Sequence, residues 1–556
     1  MNRLRGMGVV LAAAALMLTG CNANPANPGS SSQSAPPTKG GTLTILTSQT
    51  EISFDPAKSQ SLAITSLGLV NRRLTTWEVA PNQPAQVVPD LATDTGTESD
   101  GGKTWTYTLK DNLKYADGTP ITTTDIKYGL ERSFAPELSG GLGYHKSLLA
   151  GADSYKGPYS GDQLASIQTP DQKTIVFKLN TPYGDWPWIA SMPAFSPVPK
   201  AKDNPNTYGQ KPEASGPYQV QSYTQGVSLN LSRNPSWDPA TDSVRTAGPD
   251  QINFKLSQDT TVAAQSLIAD SGEAKNSFGA QFVPAAQLAQ AQSNPNVKDR
   301  LATSGPGALS YLAFNTQRGA LKDVKVRRAL EYAADRQAYL VAAGGTIAGE
   351  PATTLITPGI PGREPYDLYP AEPSGDPAKA KEMLAAAGHA NDLNLTLVVA
   401  NDSSTLAQAQ ALQQGFAKAG VKITLKPLDA NTVTASVTGN DTNYDLYLGS
   451  WQPDFPSPNA NIQPLFDSRQ IGGGNYNISR YSNPEVDALI KKATGTVDPA
   501  ESAKLWATAD KMIMQDAPVI PLTYTKNSFL RGSNVRNFFI GAFPAYPNYL
   551  KVTLAQ

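Results

Sequence analysis

Sulfur and imidazole are nearly missing from this chain of 556 residues. It has one cysteine, Cys21, and two histidines, His145 and His389, far apart. A single cysteine excludes an intramolecular disulfide and any cysteine cluster, and two distant histidines leave no ligand set for zinc or nickel. No metal and no cofactor is expected. Excess charge of one sign is missing too. Lys and Arg number 46 against 47 Asp and Glu, a net charge of -1, so there is no global basic field to attract nucleic acid. Neither a Gly-x-Ser-x-Gly elbow nor a His-Glu-x-x-His helix occurs. The stretch "GTESDGGKT" (96–104) fails as a phosphate loop, because Thr97 stands where glycine is required and a strand follows where a helix is needed. An enzyme is not expected.

Apolar runs are short beyond the N-terminus, where "MNRLRGMGVVLAAAALMLTGC" (1–21) places Arg3 and Arg5 before a brief apolar core at Val9–Leu18. The core is too short to span a bilayer comfortably and fits an export signal. Leu18-Thr19-Gly20-Cys21 resembles the bacterial lipobox, which implies cleavage before Cys21 and lipidation of its thiol. Residues 1–20 are then a lipoprotein signal peptide. Residues 21–40, rich in Pro, Ser, Asn and Gly, cannot bury enough surface to fold and form a tether. The folded body is expected outside the cytoplasm, on the outer face of the cytoplasmic membrane.

That body has 40% hydrophobic and 17% charged residues, a globular balance. With 45 Gly and 44 Pro, it should be rich in turns and long connections. "GTLTILTS" (41–48), "TWTYTLKDNLKY" (104–115) and "KTIVFKLN" (173–180) alternate as strands do, with Trp105, Tyr107 and Leu109 on one face. "SDGGK" before the second is hairpin chemistry, and 216–234 reads as a further hairpin. Helices are expected at 123–134, at Thr260–Ala269 and, as one long element, across 323–341. Asp376-Pro377 opens another helix that Gly388 closes. Residues 393–399, 405–420 and 421–428 read as strand, helix, strand, a βαβ unit with a parallel pair. Helices near 483–492 and 501–515 follow, then a strand at 519–525.

Between them lies "YDLYLGSWQPDFPSP" (444–458), a strand that breaks at Trp451 into a proline-rich loop carrying Asp454 and Phe455. On its own the loop reads as a solvent-exposed turn. The "GGG" at 472–474 reads only as a flexible loop.

The region "TWTYTLKDNLKYADGTPITTTDIKYGLERSF" resembles the family 5 solute-binding proteins of ABC transporters, of the oligopeptide- and dipeptide-binding type. "GGTLTI", "SGPYQV", "YLAFNT...VRRAL" and "YSNPEVDALI" match further landmarks of that family in order. The resemblance implies an α/β, two-lobed, periplasmic-binding-protein-like clamp with an extra subdomain, mixed sheets and flanking helices. Lobe I would take 41–305, including an inserted strand-rich subdomain at about 85–204. Lobe II would take 306–520, and 521–556 would return to lobe I. Crossing strands would lie near Tyr311–Asn315 and Leu522–Tyr524, with Asn315 a hinge residue. The resemblance also implies that Asp454, three residues after Trp451, takes a ligand's α-amino group. Trp451 and Phe455 would exclude water there, and Tyr524 would be a further cleft residue. A salt bridge inside lobe II remains the competing role for Asp454. No basic residue matches a partner for a peptide carboxylate. The expected partners are a peptide or other small organic ligand, ABC permease subunits, and the membrane through the lipid anchor; no nucleic acid is expected, and the protein should act as a monomer. An oligosaccharide-like ligand, or a regulatory or scaffolding envelope role, would use the same fold.

Overall fold

Alternation at 104–109 does what the pattern predicts. Trp105, Tyr107 and Leu109 are buried at 3%, 0% and 3% exposure. In the computed structural model this strand, Thr104–Thr108, pairs antiparallel with Thr97–Ser99 and with Thr174–Lys178, which in turn pairs with Ile167–Gln168. The connection from Ser99 to Thr104 passes Asp100, Gly101 and Gly102 at φ of 56°, 61° and 86°, the tight hairpin that the glycines permit. The residues weighed as a phosphate loop are therefore this turn. The structure describes residues 39–59, 67–81, 83–138, 140–390, 392–440, 443–541 and 543–555. The signal peptide, Cys21 and nearly all of the tether lie outside the described residues.

Three main sheets organise the body Ser32–Gln556. The first has five strands in the order Ser277–Gly279, Thr42–Leu46, Gln251–Lys255, Ser228–Arg233, Tyr218–Thr224. It mixes parallel pairs around Thr42–Leu46 with the antiparallel hairpin 218–233. The second is the four-stranded antiparallel sheet just described, covered by the helix Thr123–Arg132. The third has six strands in the order Gly349–Pro351, Val519–Thr525, Ala308–Phe314, Leu446–Trp451, Asn394–Ala400, Lys422–Leu428. Mixed sheets with flanking helices match the expected α/β class.

The βαβ unit is present, with Asn394–Ala400 and Lys422–Leu428 parallel in seven-residue register. The helix between them, Ser403–Lys418, starts where Asp402 accepts from Thr405 N at 2.9 Å, a cap that contributes about 1 kcal/mol. Leu412 and Phe416 are buried against the sheet, each contributing about 1.5–3 kcal/mol. The expected single helix over 323–341 is two, Val324–Ala333 and Arg336–Ala342. Asp335 breaks it by accepting from Ala338 N at 2.9 Å, so its carboxylate caps a new helix.

Leu301–Thr303 pairs with Ser528–Leu530 beside the first sheet. The chain then runs through 304–307 and 526–527 into the six-stranded sheet. Ser304 and Asn527 bond each other there, through Ser304 N to Asn527 O at 2.8 Å and Asn527 N to Ser304 Oγ at 2.9 Å. Tyr311–Asn315 and Leu522–Tyr524, the expected crossing strands, belong to this sheet or its margin: Ala308–Phe314 is buried throughout and paired on both sides, and Asn315 follows it directly.

A buried charge cluster joins Arg72, Asp90, Asp242 and Arg245. Asp90 accepts from Arg72 Nε at 2.7 Å and Arg245 Nη2 at 2.8 Å, and Arg245 Nη1 reaches Asp242 at 3.0 Å. Burial pushes the Asp90 carboxyl up, but Arg245 and Arg72 together hold it well below the usual carboxylate range.

Candidate functional site

The strand Leu446–Trp451 sends alternate residues to opposite faces. Leu446 and Leu448 enter the core, whereas Tyr447 and Trp451 line a cavity of about 590 Å³. Register brings a third aromatic ring beside them, since Tyr311 stands directly opposite Gly449. A Cβ at Gly449 would come within 2.3 Å of the Tyr447 ring, so only glycine lets that ring lie across the strand. Thr434, Val437 and Thr438, at helical spacing on Ala430–Thr438, form another wall.

Tyr476 completes the aromatic lining. Its ring meets Trp451 with centroids 5.2 Å apart. The turn that delivers it passes Gly472, Gly473 and Gly474 at φ of 71°, 62° and 89°, so the three glycines serve a specific left-handed turn. The Trp451 Nε1 donates to Ala460 O at 2.7 Å, which fixes the indole over the cavity.

The far side comes from the chain segment carrying the inserted sheet, through Gly141, Leu142, Gly143 and Tyr144. The Tyr144 hydroxyl donates to Asp454 Oδ2 at 2.5 Å. Asp454 is half-buried and lines the cavity. Burial raises its carboxyl above the usual range, and the bond from Tyr144 pulls it partly back. No lysine or arginine among the described residues pairs with it, so the salt bridge weighed as its competing role does not form there.

The Asp454 loop is held firmly. Ser457 Oγ donates to Asp185 Oδ2 at 2.8 Å and Asn459 Nδ2 donates to Tyr183 Oη at 3.0 Å. Phe455 is buried against the core of the inserted sheet, edge-on to Tyr144 at 5.4 Å. It braces the loop and is not part of the cavity wall. Tyr524 is placed elsewhere. It is 2% exposed, its hydroxyl takes bonds from Thr354 N at 2.8 Å and Thr353 N at 3.2 Å, and Arg363 lies over its ring. Asn315, fully buried, donates to Tyr444 O at 3.1 Å. His145 is a core residue with Nε2 2.6 Å from Ser133 Oγ, its pKa lowered by burial to about 3. Among the described residues no cluster of His, Cys, Asp and Glu is placed to hold a metal.

Three cavity residues escape a linear reading: Tyr144, Tyr311 and Tyr476. Tyr447 was accessible from strand alternation alone. The other three arrive by sheet register or by loops distant in sequence.

A sequence profile of the bacterial extracellular solute-binding proteins, family 5 (middle region), matches residues 86–473. The chain belongs to this family. Among curated relatives of this family 5 chain, the glutathione-binding protein GsiB of Escherichia coli O1:K1 / APEC is 28% identical over 454 residues, spanning 80% of this chain and 82% of the relative. Among solved structures, clavulanic acid biosynthesis oligopeptide binding protein 2 is 33% identical with a TM-score of 0.85, covering 94% of this chain and 97% of its own. The periplasmic murein tripeptide binding protein MppA, in an unliganded open form, shares the fold at 23% identity and a TM-score of 0.75, with 94% and 99% covered. These relatives are named as binding proteins, and the family is extracellular and works with ABC permeases.

Proposed function

We propose that the protein is a lipid-anchored, extracytoplasmic solute-binding subunit that captures peptides by their amino end and hands them to an ABC importer. Asp454 carries this reading. It is an acid on a proline-stiffened loop at the wall of a large aromatic cavity, with a tyrosine hydroxyl for company and no cation. An arriving ammonium supplies the missing charge, and a charge-assisted bond of this kind contributes about 1.5–3 kcal/mol. Trp451 keeps water from the pair and so strengthens it. The prolines at 453, 456 and 458 hold the loop ready and reduce the ordering cost of binding. A ligand touching both walls favours the closed arrangement because it binds that state better. The kinship to glutathione- and oligopeptide-binding proteins supports short peptides as the ligand class, and the lipobox-like Cys21 supports the anchor.

Native mass spectrometry of the purified full chain, followed by denaturation, identifies any ligand it carries. Co-purified peptides are the expected result. A sugar or other solute without an amino group would remove Asp454 from the role of ammonium acceptor. An empty protein with no thermal shift on a di-, tri- and pentapeptide panel would point to a scaffold. Asp454→Ala should weaken peptide binding roughly tenfold or more, and unchanged affinity in a folded variant would refute the assignment.

A further inference from the structure

The cavity is unbalanced in charge. Asp454 is the one acidic side chain among the described residues that line it, and no lysine, arginine or histidine joins it. The nearby Arg480, two residues beyond the lining Ile478, is engaged with Gln317 Oε1 at 3.2 Å and with Gly439 O at 3.4 Å. Five aromatic rings, from Tyr144, Tyr311, Tyr447, Trp451 and Tyr476, make up much of the wall. Their faces carry negative quadrupole density that attracts cations and repels anions. The second oxygen of Asp454, Oδ1, has no hydrogen-bond partner among the described residues, while Oδ2 is taken by Tyr144. The site thus holds one acid for a positive group, and for a negative group it holds only neutral donors such as Gln452, Ser450 and the tyrosine hydroxyls. An enclosed carboxylate would lose its hydration without a cationic partner and face Asp454 as a like charge.

Resting on the capture reading above, we infer that this cavity selects solutes bringing an ammonium group and no free carboxylate into it: peptide amides and related organic amines, over free peptide acids of the same size. A chain short enough to sit wholly inside feels the discrimination most. A longer peptide that carries its carboxylate out of the cavity escapes it. At a separation of about 10 Å and an effective dielectric near 20, the like-charge penalty alone gives a preference of about tenfold.

The test is calorimetric titration of the full chain with three pools of one tripeptide library, made as free acids, as C-terminal amides and as N-acetyl amides. The amide pool should bind about tenfold more tightly than the acid pool, and acetylation should abolish the gain. In folded Asp454→Asn the ratio of amide to acid affinity should fall toward one. Acids binding as well as or better than amides would overturn the charge selectivity while leaving peptide capture standing. N-acetyl amides binding as well as free-amine amides would overturn recognition of the ammonium. No binding by any pool would bring down the selectivity together with the capture reading.

Discussion

The Tyr144 hydroxyl and the Asp454 carboxylate, 310 positions apart in the chain, meet at 2.5 Å. One opens the short helix Tyr144–Leu148, between the strands Thr104–Thr108 and Ile167–Gln168 of the four-stranded sheet, the other comes from the loop that ends the strand Leu446–Trp451. Burial and the adjacent Asp454 hold the Tyr144 phenol well above its usual pKa, so the proton stays on the tyrosine and the acid stays the acceptor. The bond ties the two walls of the cavity together and fixes which oxygen of Asp454 is left for a ligand.

A pH dependence follows from this contact. Burial raises the Asp454 carboxyl, and Tyr144 partly lowers it. Ammonium capture needs the ionised form, so affinity is present above the Asp454 pKa and is lost as pH falls through it. Tyr144→Phe removes the lowering bond and leaves burial unopposed. The loss of affinity should move to higher pH than in the unaltered protein. Titrating one peptide ligand across the acid range with both proteins measures the displacement. Coincident profiles would mean that Tyr144 does not control Asp454.

Much of the scaffold could be read in advance because local signals agreed with tertiary ones. The helix Thr260–Ala269 and the strand Val519–Thr525 fall at the expected residues. The helix break at Asp335 was hidden because apolar spacing continues across it, and a single carboxylate turning to cap Ala338 N decides the outcome. The site was partly legible. Trp451 and Asp454 lie on one short loop whose composition drew attention. Tyr311 owes its place to pairing opposite Gly449, and Tyr144 to a tertiary contact, and neither leaves a trace in linear spacing. Tyr524 was expected at the cleft from the family resemblance, against the alternative of a core tyrosine, and a resemblance does not show a hydroxyl's partners, here Thr354 N and Thr353 N.

The buried charge cluster of Arg72, Asp90, Asp242 and Arg245 should be costly to break. Asp90→Ala leaves Arg72 and Arg245 buried without their shared acceptor, at a cost of about 3–5 kcal/mol. Asp90→Asn keeps an acceptor oxygen and should cost less. Urea denaturation of the three proteins orders them. Equal midpoints for Asp90→Ala and the unaltered chain would show that Asp242 alone suffices for Arg245.

Glu331 gives a second pH effect, on stability. It is fully buried, with Oε2 2.7 Å from Arg336 Nη2 and Oε1 without a hydrogen bond. Burial outweighs Arg336 and lifts its pKa from 4.5 to about 7. A raised carboxyl pKa means that the folded state holds the proton more tightly. Its contribution is therefore fully present below about pH 4.5 and is lost as pH rises through about 7. Glu331→Gln should flatten the stability profile over that window by up to about 3 kcal/mol. Asp510, likewise buried and raised to about 6, stays in both proteins and cancels in the difference. Parallel profiles for the two proteins would contradict the assignment.

Gly449 tests whether the aromatic wall shapes binding. An added Cβ would strike the Tyr447 ring at 2.3 Å, and the ring is the part able to move. Gly449→Ala should drive it from its place at the cavity wall. Overpacking of this sort costs about 1–3 kcal/mol, and the displaced ring should occupy ligand space, weakening peptide binding by roughly tenfold. A double-mutant cycle separates this from general damage. Once Tyr447→Ala has removed the ring, adding Gly449→Ala should change affinity little, because its obstacle is gone. If the Gly449→Ala penalty on binding persists in the Tyr447→Ala background, the glycine acts through the backbone of the strand and not through the wall.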